Sequence, residues 1–392
     1  MNRAILNVDL FYGDQGKGTT VEFQTRQTNS KLTVRFNGGA QAAHNIVLKD
    51  GRHHTFAQFG SATFEPNVKT YLSEFVLVNP FAMEKEEEHL VKCNINDAFE
   101  RMYINENALL TTPYHRADNR IKELFRGGRM HGSCGMGISA TVEDSLNRPD
   151  ECLRVKDLQN KSELLRKLKL NRLAMMKSSS SFMVWDNVLM QDEIETFDEE
   201  LIEMIYNRLL SFSDKVNIIN SEVVEKLFNE TETVIFEPAQ GVLLDENYGF
   251  HPYTTWTTCT LKNARTILSN LNYKNDIETY GVTRTFGTRH GPGPFVTEDK
   301  KDLTNSLADP HNTTNIWQRN FRCGWLDLVA LDYSLRVNGN VDYLSVTHID
   351  WLMKKRDTWN VCTKYLLDNK EYIPFIPQSL EEQEKLTQCM YK

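Results

Sequence analysis

Residues 4–18 read AILNVDLFYGDQGKG, and their order decides the fold. Ala4 to Tyr12 is apolar-rich and suits a buried strand, the glycine loop Gly13 to Gly18 follows at once, and TTVEFQTRQT behind it can open a helix. Strand, glycine loop and helix together make a phosphate cradle. Glycines let backbone N–H groups turn toward an anion, the helix N-terminus adds partial positive charge, and Lys17 adds a full one. The loop is not a GxxxxGK[ST] loop, which needs a glycine near position 11, where this chain has Phe11. Asp14 is the unusual residue. It either shapes the loop as an Asx turn or sets a carboxylate beside a bound phosphate, able to hold Mg²⁺ or take a proton.

Working outward, a second strand, Leu32 to Phe36, empties into the small-residue loop NGGAQAAH, Asn37 to His44. Two such loops are expected on one sheet edge, where functional groups gather in open α/β sheets. A lone histidine is more often structural than catalytic, but the neighbours of His44 offer exposed backbone and little bulk to pack. His53 and His54, after an Asp50-Gly51 turn, read as surface. Further strands are expected at Tyr71 to Val78, Thr233 to Glu237, Ile277 to Arg284 and Tyr343 to Thr347. Helices are expected at Phe81 to Cys93, with the EKEEE run on its wet face, at Asp192 to Phe212, and at Gly324 to Val337, where Leu328, Leu331 and Leu335 recur at helical spacing. The polar KSSSS run, Lys177 to Ser181, is the one candidate hinge. There is no repeat, low-complexity tract or proline-rich linker, so the expectation is a single α/β domain over residues 1–392, with a twisted, mostly parallel central sheet and long loop insertions.

Composition narrows the classes. The 392 residues are 40% hydrophobic and 25% charged, the balance of a globular chain and not of a disordered or fibrous one. A net charge of −8 argues against a general nucleic-acid binder, so any anionic ligand must meet local positive charge. Seven cysteines without a CxxC pair suggest neither a zinc cage nor a disulfide framework. The first residues turn polar too soon for a signal peptide, and no apolar run approaches the ~20 residues of a membrane span. The cytoplasm is the expected home, with no nucleic-acid or membrane partner.

Three more loops and one arginine pair could carry chemistry. HGSCGMGIS (131–139) is glycine-rich with hydroxyls, FEPAQGVLLD (236–245) leaves a strand with the polar Gln240, and FGTRHGPGPF (286–295) holds too many glycines and prolines to be regular. HNTTNIWQRNFRCGWLD (311–327) sets Arg319 and Arg322 in a turn-prone segment, either a clamp for carboxylate or phosphate or an ordinary surface loop. So many small-residue loops in one domain favour a nucleotide-scale pocket.

Taken in chain order, these segments resemble the adenylosuccinate synthetase family, which joins aspartate to a 6-oxopurine nucleotide at the expense of a nucleoside triphosphate. GDQGKG is similar to the family's GDEGKG, RFNGGAQAAH to R-x-x-GG-x-NAGH, GSCGMGIS to GTTGRGIG, and FEPAQGVLLD to FEGAQGTLLD. HPYTTW is similar to YPYVTS, TRHGPGPFVTE to TRVGAGPFPTE, the Thr313 to Asp327 segment to TTGRRRRTGWLD, and VTHID to LTKLD. The resemblance runs to about Asp350.

It implies a carbon–nitrogen ligase. Asp14 would be the base that removes the purine N1 proton and touches Mg²⁺, with Ala43 as a second metal contact, and His44 the acid that assists at O6 and the γ-phosphate. Gly13, Gln15, Gly16, Lys17 and Gly18 would hold the donor phosphates. Asn37, Gln41, Ser133, Cys134, Gln240, Thr255 and His290 would face the substrate nucleotide, and Asp350 the donor base. Thr313, Thr314, Arg319 and Arg322 fall in the aspartate loop. Arg148 matches an arginine that the family lends across a homodimer interface.

The departures matter too. Cys134 stands for a threonine, Trp256 for a serine, His290 for a valine near the ribose and His348 for a lysine; NIWQRNFR replaces a short arginine run, and the family's long tail is missing. A short chain with an altered pocket is similar to the viral branch of the family, which converts dGMP to N6-succino-2-amino-2′-deoxyadenylate with ATP or dATP, although that branch often has serine where Asp14 stands. The expected substrate is therefore dGMP, with IMP and a GTP donor as the alternative and, from another class, a non-catalytic nucleotide-binding homologue or a phosphotransferase that hydrolyses the donor.

Overall fold

A computed structural model describes residues 2–127, 132–300, 303–307, 317, 321–350, 353, 359–373 and 380–392. Its centre is an eight-stranded sheet whose strands, in chain order, are β1 (Arg3–Asp9), β2 (Leu32–Arg35), β3 (Lys69–Leu72), β4 (Met102–Asn105), β5 (Asn217–Ile219), β6 (Thr233–Glu237), β7 (Asp276–Arg284) and β8 (Tyr343–Thr347). Across the sheet the order is β8-β7-β1-β6-β2-β3-β4-β5, and every pairing is parallel.

Parallel strands covered on both faces read as continuous apolar runs, and β1 and β6 do. On one face Ile5 and Ile235 meet Val21 of the helix Lys17–Thr28. On the other, Ala4, Leu6, Val8, Val34 and Phe236 pack with Leu261, Ala264, Leu268 and Leu331, which come from the helices Lys262–Asn270 and Leu328–Asn338 and their approach. A larger core holds the helices Pro80–Lys92, Pro113–Arg126, Lys161–Ser179 and Leu201–Ser213 over the β3 and β4 side. Because β1, β2, β6 and β7 run the same way, the loops that follow them leave from one edge.

Several local expectations are corrected. Tyr71 to Val78 is two short strands, β3 and Leu77–Val78, with a turn at Ser73 to Val76 between them. Asp192 to Phe212 is two helices, Val188–Glu195 and Leu201–Ser213, because Phe197 turns into the core and its carbonyl accepts from Arg172 Nε at 2.6 Å. Phe321–Asp327 is a strand antiparallel to Phe286–His290, so the helix begins only at Leu328 and FGTRHGPGPF is half regular. The KSSSS run is no hinge: it ends the helix Lys161–Ser179 and the short turn after it, with the Ser179 and Ser180 hydroxyls donating to the Met175 and Lys177 carbonyls. His54 is buried, not surface, and contacts His89 at 2.7 Å.

Candidate active site

The glycine loop is organised from inside by Asp9, the last residue of β1. It is fully buried. Its Oδ1 accepts from the Phe11 and Gly13 amides at 2.9 and 3.3 Å, and its Oδ2 from the Gln15 amide at 3.4 Å and from Lys17 Nζ at 2.7 Å. Burial pushes the Asp9 carboxyl up, against the pull of Lys17. Gln15 is also turned inward, with Nε2 on the Gly13 carbonyl at 2.8 Å and Oε1 accepting the Arg284 amide at 2.7 Å. Gly16 then takes φ 85° at the start of the helix Lys17–Thr28, whose N-terminus has no side-chain cap and no acidic residue in its first turn. Free amides and partial positive charge at such an end suit an anion.

Asp14 sits in the left-handed region at φ 59°, which lifts its carboxylate out of the loop. His290 Nε2 lies 3.3 Å from Asp14 Oδ2. Burial works against the charge, but His290, Lys17 and Arg284 together hold the Asp14 carboxyl well below the ordinary range.

His44 opens the strand His44–Val47 and is buried. Its Nδ1 lies 2.6 Å from Glu237 Oε1, at the end of β6. Glu237 also accepts from the Ser61 amide at 2.9 Å and from the Ser61 hydroxyl, and Arg35 Nη1 stands 3.8 Å away. Burial opposes its charge, but Arg35, His44 and Ser61 hold the Glu237 carboxyl at about 2, whereas burial lowers His44 to about 4. The His44 Nε2 has no hydrogen-bond partner among the described residues.

These groups open on one cleft of about 1140 Å³. Asp14, Lys17, Gln41, His44, Gln240 and His290 line it, and so do Ser133, Cys134, Thr255 and Trp256. Both ends of the Gln41 amide and the Gln240 Nε2 are buried with no partner among the described residues. Orphaned amides that face a cavity are groups left for a ligand to satisfy. The helix Ile138–Asn147 begins at Gly137, φ 84°, again without a side-chain cap, so a second anion-receptive end borders the same cleft. At the mouth, Lys122 pairs with Asp118 at 2.9 Å and Arg126 pairs with Glu123.

The family model for adenylosuccinate synthetase matches residues 8–392. The chain belongs to the adenylosuccinate synthetase family. It is thereby a carbon–nitrogen ligase of that type. Relatives include the adenylosuccinate synthetases of Clostridium botulinum (strain 657 / Type Ba4), 31% identical over 95% of this chain and 83% of the relative, and of Buchnera aphidicola subsp. Schizaphis graminum, 33% identical over 93% and 81%. Among solved structures, the fully ligated adenylosuccinate synthetase of Plasmodium falciparum superposes with a TM-score of 0.81 at 22% identity, over 99% of this chain and 86% of that one. The succinoaminodeoxyadenylate synthetase of cyanophage S-2L, bound to dGMP and dATP, superposes at 0.62 and 14% identity over 99% of both chains. These two likenesses bear on the fold.

Some residues that resemblance to the adenylosuccinate synthetase family implied are engaged elsewhere. The Asn37 amide braces Ala239, donating to its carbonyl at 2.9 Å and accepting its amide at 2.7 Å, so it ties two loops together and does not face the cleft. Gln15 acts through loop shape, as above. Arg322 Nη1 donates to the Gly291 and Gly293 carbonyls at 2.9 and 3.0 Å, and its Nη2 to Glu298 at 2.6 Å, which holds the loop and leaves no clamp. Arg148 lies outside this cleft, with Nε on Asp144 at 2.8 Å. Asp350 is exposed just beyond β8. Thr313, Thr314 and Arg319 lie outside the described residues. The residues the sequence reading missed are Asp9, Glu237, Arg35 and the mouth pair Lys122 and Arg126. The signal for Asp9 was an acid closing an apolar strand eight residues before Lys17; the others carried none.

Proposed function

We propose that this chain joins L-aspartate to C6 of a 6-oxopurine nucleotide, driven by a nucleoside triphosphate. The observation that carries the reading is that Asp14, Lys17 and His44, the last held by Glu237 behind it, share one cleft with two uncapped helix N-termini. Asp14 takes the N1 proton, O6 attacks the γ-phosphorus, and the bond to the leaving diphosphate breaks. The amine of aspartate then attacks C6, phosphate leaves, and the amine loses a proton. His44 Nε2 reaches O6 and the transferring phosphoryl group, Lys17 and the loop amides take the donor phosphates, and Gln41 and Gln240 take the substrate nucleotide, with Ser133, Cys134 and Thr255 beside it.

Among the described residues no group of three acidic, histidine or cysteine side chains could hold a metal ion. Asp14 brings one carboxylate to the cleft, which suits Mg²⁺, an ion that keeps one or two carboxylates and otherwise uses waters and phosphate oxygens. Asp14 and the Ala43 carbonyl would hold it, and it would neutralise phosphoryl charge.

The sequence relatives favour IMP as substrate, with a GTP donor, over the dGMP expected from the altered pocket. The dGMP reading, with ATP or dATP, is supported by one observation: His290 and Trp256, which depart from the family pattern, both line the cleft. The test is product mass from purified protein with Mg²⁺, aspartate, and IMP, GMP or dGMP against GTP, ATP or dATP. A succinyl adduct on IMP alone supports the first reading, and one on dGMP alone the second. Donor hydrolysis without aspartate would instead make the protein a phosphotransferase, and binding without turnover a non-catalytic homologue. Asp14→Ala and His44→Ala should each lower kcat on the order of 10²-fold or more. Near-normal rates would remove them from the mechanism.

A further inference from the structure

We infer that Arg289 and Arg322 are positioning residues for the substrate nucleotide: together they hold the cleft wall at residues 291–294 in one shape. The inference rests on the proposed function for which ligand meets that wall. The segment reads GPGP, and its composition works against a turn that bonds to itself, since neither proline has an N–H to give. Gly291 and Gly293 sit at φ 69° and 106°, backbone that a side chain rarely adopts. Gly291 and Pro294 are nevertheless buried, so the carbonyls of the segment need donors from elsewhere in the chain.

The two arginines supply them. Arg289 Nε donates to the Pro292 carbonyl at 3.1 Å and its Nη1 to the Pro294 carbonyl at 2.6 Å. Arg322 Nη1 donates to the Gly291 and Gly293 carbonyls at 2.9 and 3.0 Å. Four successive carbonyls are thus held, alternately by one arginine and the other. The strands Phe286–His290 and Phe321–Asp327 set Arg289 and Arg322 directly opposite each other, a placement that costs stability for like charges unless something else uses them. The shared row of carbonyls is that use. Arg289 is 1% exposed and lies 4.1 Å from the centre of the Tyr12 ring, whose hydroxyl also donates to the Pro294 carbonyl at 2.8 Å. A Cβ on Gly293 would fall 2.1 Å from Arg289 Nη2, so the guanidinium fits there only against a glycine. Arg322 is fixed in turn by Glu298 at 2.6 Å. The braced segment meets the cleft through His290 and Pro292. His290 Nε2 lies 3.3 Å from Asp14, and a Cβ on Gly132 would fall 2.8 Å from Pro292 Cδ, so the wall reaches from Asp14 to the loop that carries Ser133 and Cys134.

The test reads binding by calorimetry, with Mg²⁺ present for the triphosphates. Lysine keeps the charge of arginine but lacks the fork that spans two carbonyls at a set spacing. Arg289→Lys and Arg322→Lys should each raise the Kd of the tighter of IMP and dGMP on the order of tenfold, while the Kd of GTP or ATP, which meets Lys17 and the glycine loop, stays within about threefold. A variant that binds the monophosphate as tightly as the unaltered protein, or that loses the triphosphate in the same proportion, overturns the inference. Should a variant fail to fold, crystals of the unaltered protein with and without that monophosphate decide. All four carbonyls should keep their arginine partners in both, and a wall that releases either arginine on binding overturns the inference. Monophosphate binding without coupling to aspartate would sink the proposed function and leave this inference standing, whereas an unaltered protein that binds neither IMP nor dGMP overturns both.

Discussion

Lys17 and Asp9 form a buried ion pair with side chains 4% and 0% exposed, and the pair holds the loop that frames the cleft. Removing one partner strands the other charge where water cannot reach it, whereas removing both leaves only shape to repair. Lys17→Met should therefore cost about 3–5 kcal/mol in denaturant unfolding, and adding Asp9→Asn should recover much of that loss. An equal or larger loss in the double variant would show that Asp9 serves the loop through its amide contacts and not through Lys17. The lysine was legible as a phosphate ligand because a cation followed a glycine loop. Its buried partner was not, because a carboxylate ending a strand looks the same whether it faces solvent or the inside of the next loop.

At the scale of elements, the helix Leu328–Asn338 depends on Asp327, whose Oδ1 accepts from the Val329 and Ala330 amides at 3.1 and 3.0 Å while Oδ2 accepts from the Tyr365 hydroxyl. Burial nonetheless raises the Asp327 carboxyl from 3.8 to about 6. A group whose folded pKa is raised adds stability that is fully present below the unfolded value and lost as pH rises through the folded one. Its contribution thus disappears between about pH 4 and 6, by about 3 kcal/mol at most. Asp327→Asn keeps a capping oxygen and removes the titration, so its stability should vary less over that window than that of the unaltered chain. The same downward slope in both proteins would assign the effect to another group. Leucine spacing located this helix but not its start, since the strand Phe321–Asp327 is set by its pairing with Phe286–His290 and Val361–Cys362, both distant in sequence.

For the whole molecule, the question is whether one chain completes its own cleft. Arg148 lies outside the cleft of its own chain, bonded to Asp144, and the family resemblance assigns that arginine to a partner's site. Inactive Asp14→Ala and Arg148→Ala proteins, mixed and allowed to exchange subunits, should then regain about a quarter of normal activity, because half the dimers are mixed and each has one intact site of two. No recovery under demonstrated exchange would confine Arg148 to its own chain. No helix among the described residues is long and apolar enough to cross a membrane.

The local pattern of residues 4–18 by itself determined a strand, a glycine turn and an uncapped helix, and the chain-order set of small-residue loops determined the family. Both are signals carried by neighbours in sequence. The pairs His44 with Glu237, Asp14 with His290 and Asn37 with Ala239 join residues far apart along the chain, and only the sheet order set them against one another. Parallel strands deliver their loops to one edge whatever their separation in sequence, while burial decides which polar groups there must bond to each other and which stay open to a ligand. Arg322 and Gln15 have the residue types of ligand groups yet bond inward. Gln41, Gln240 and His44 line the cleft and keep buried polar atoms without a partner among the described residues.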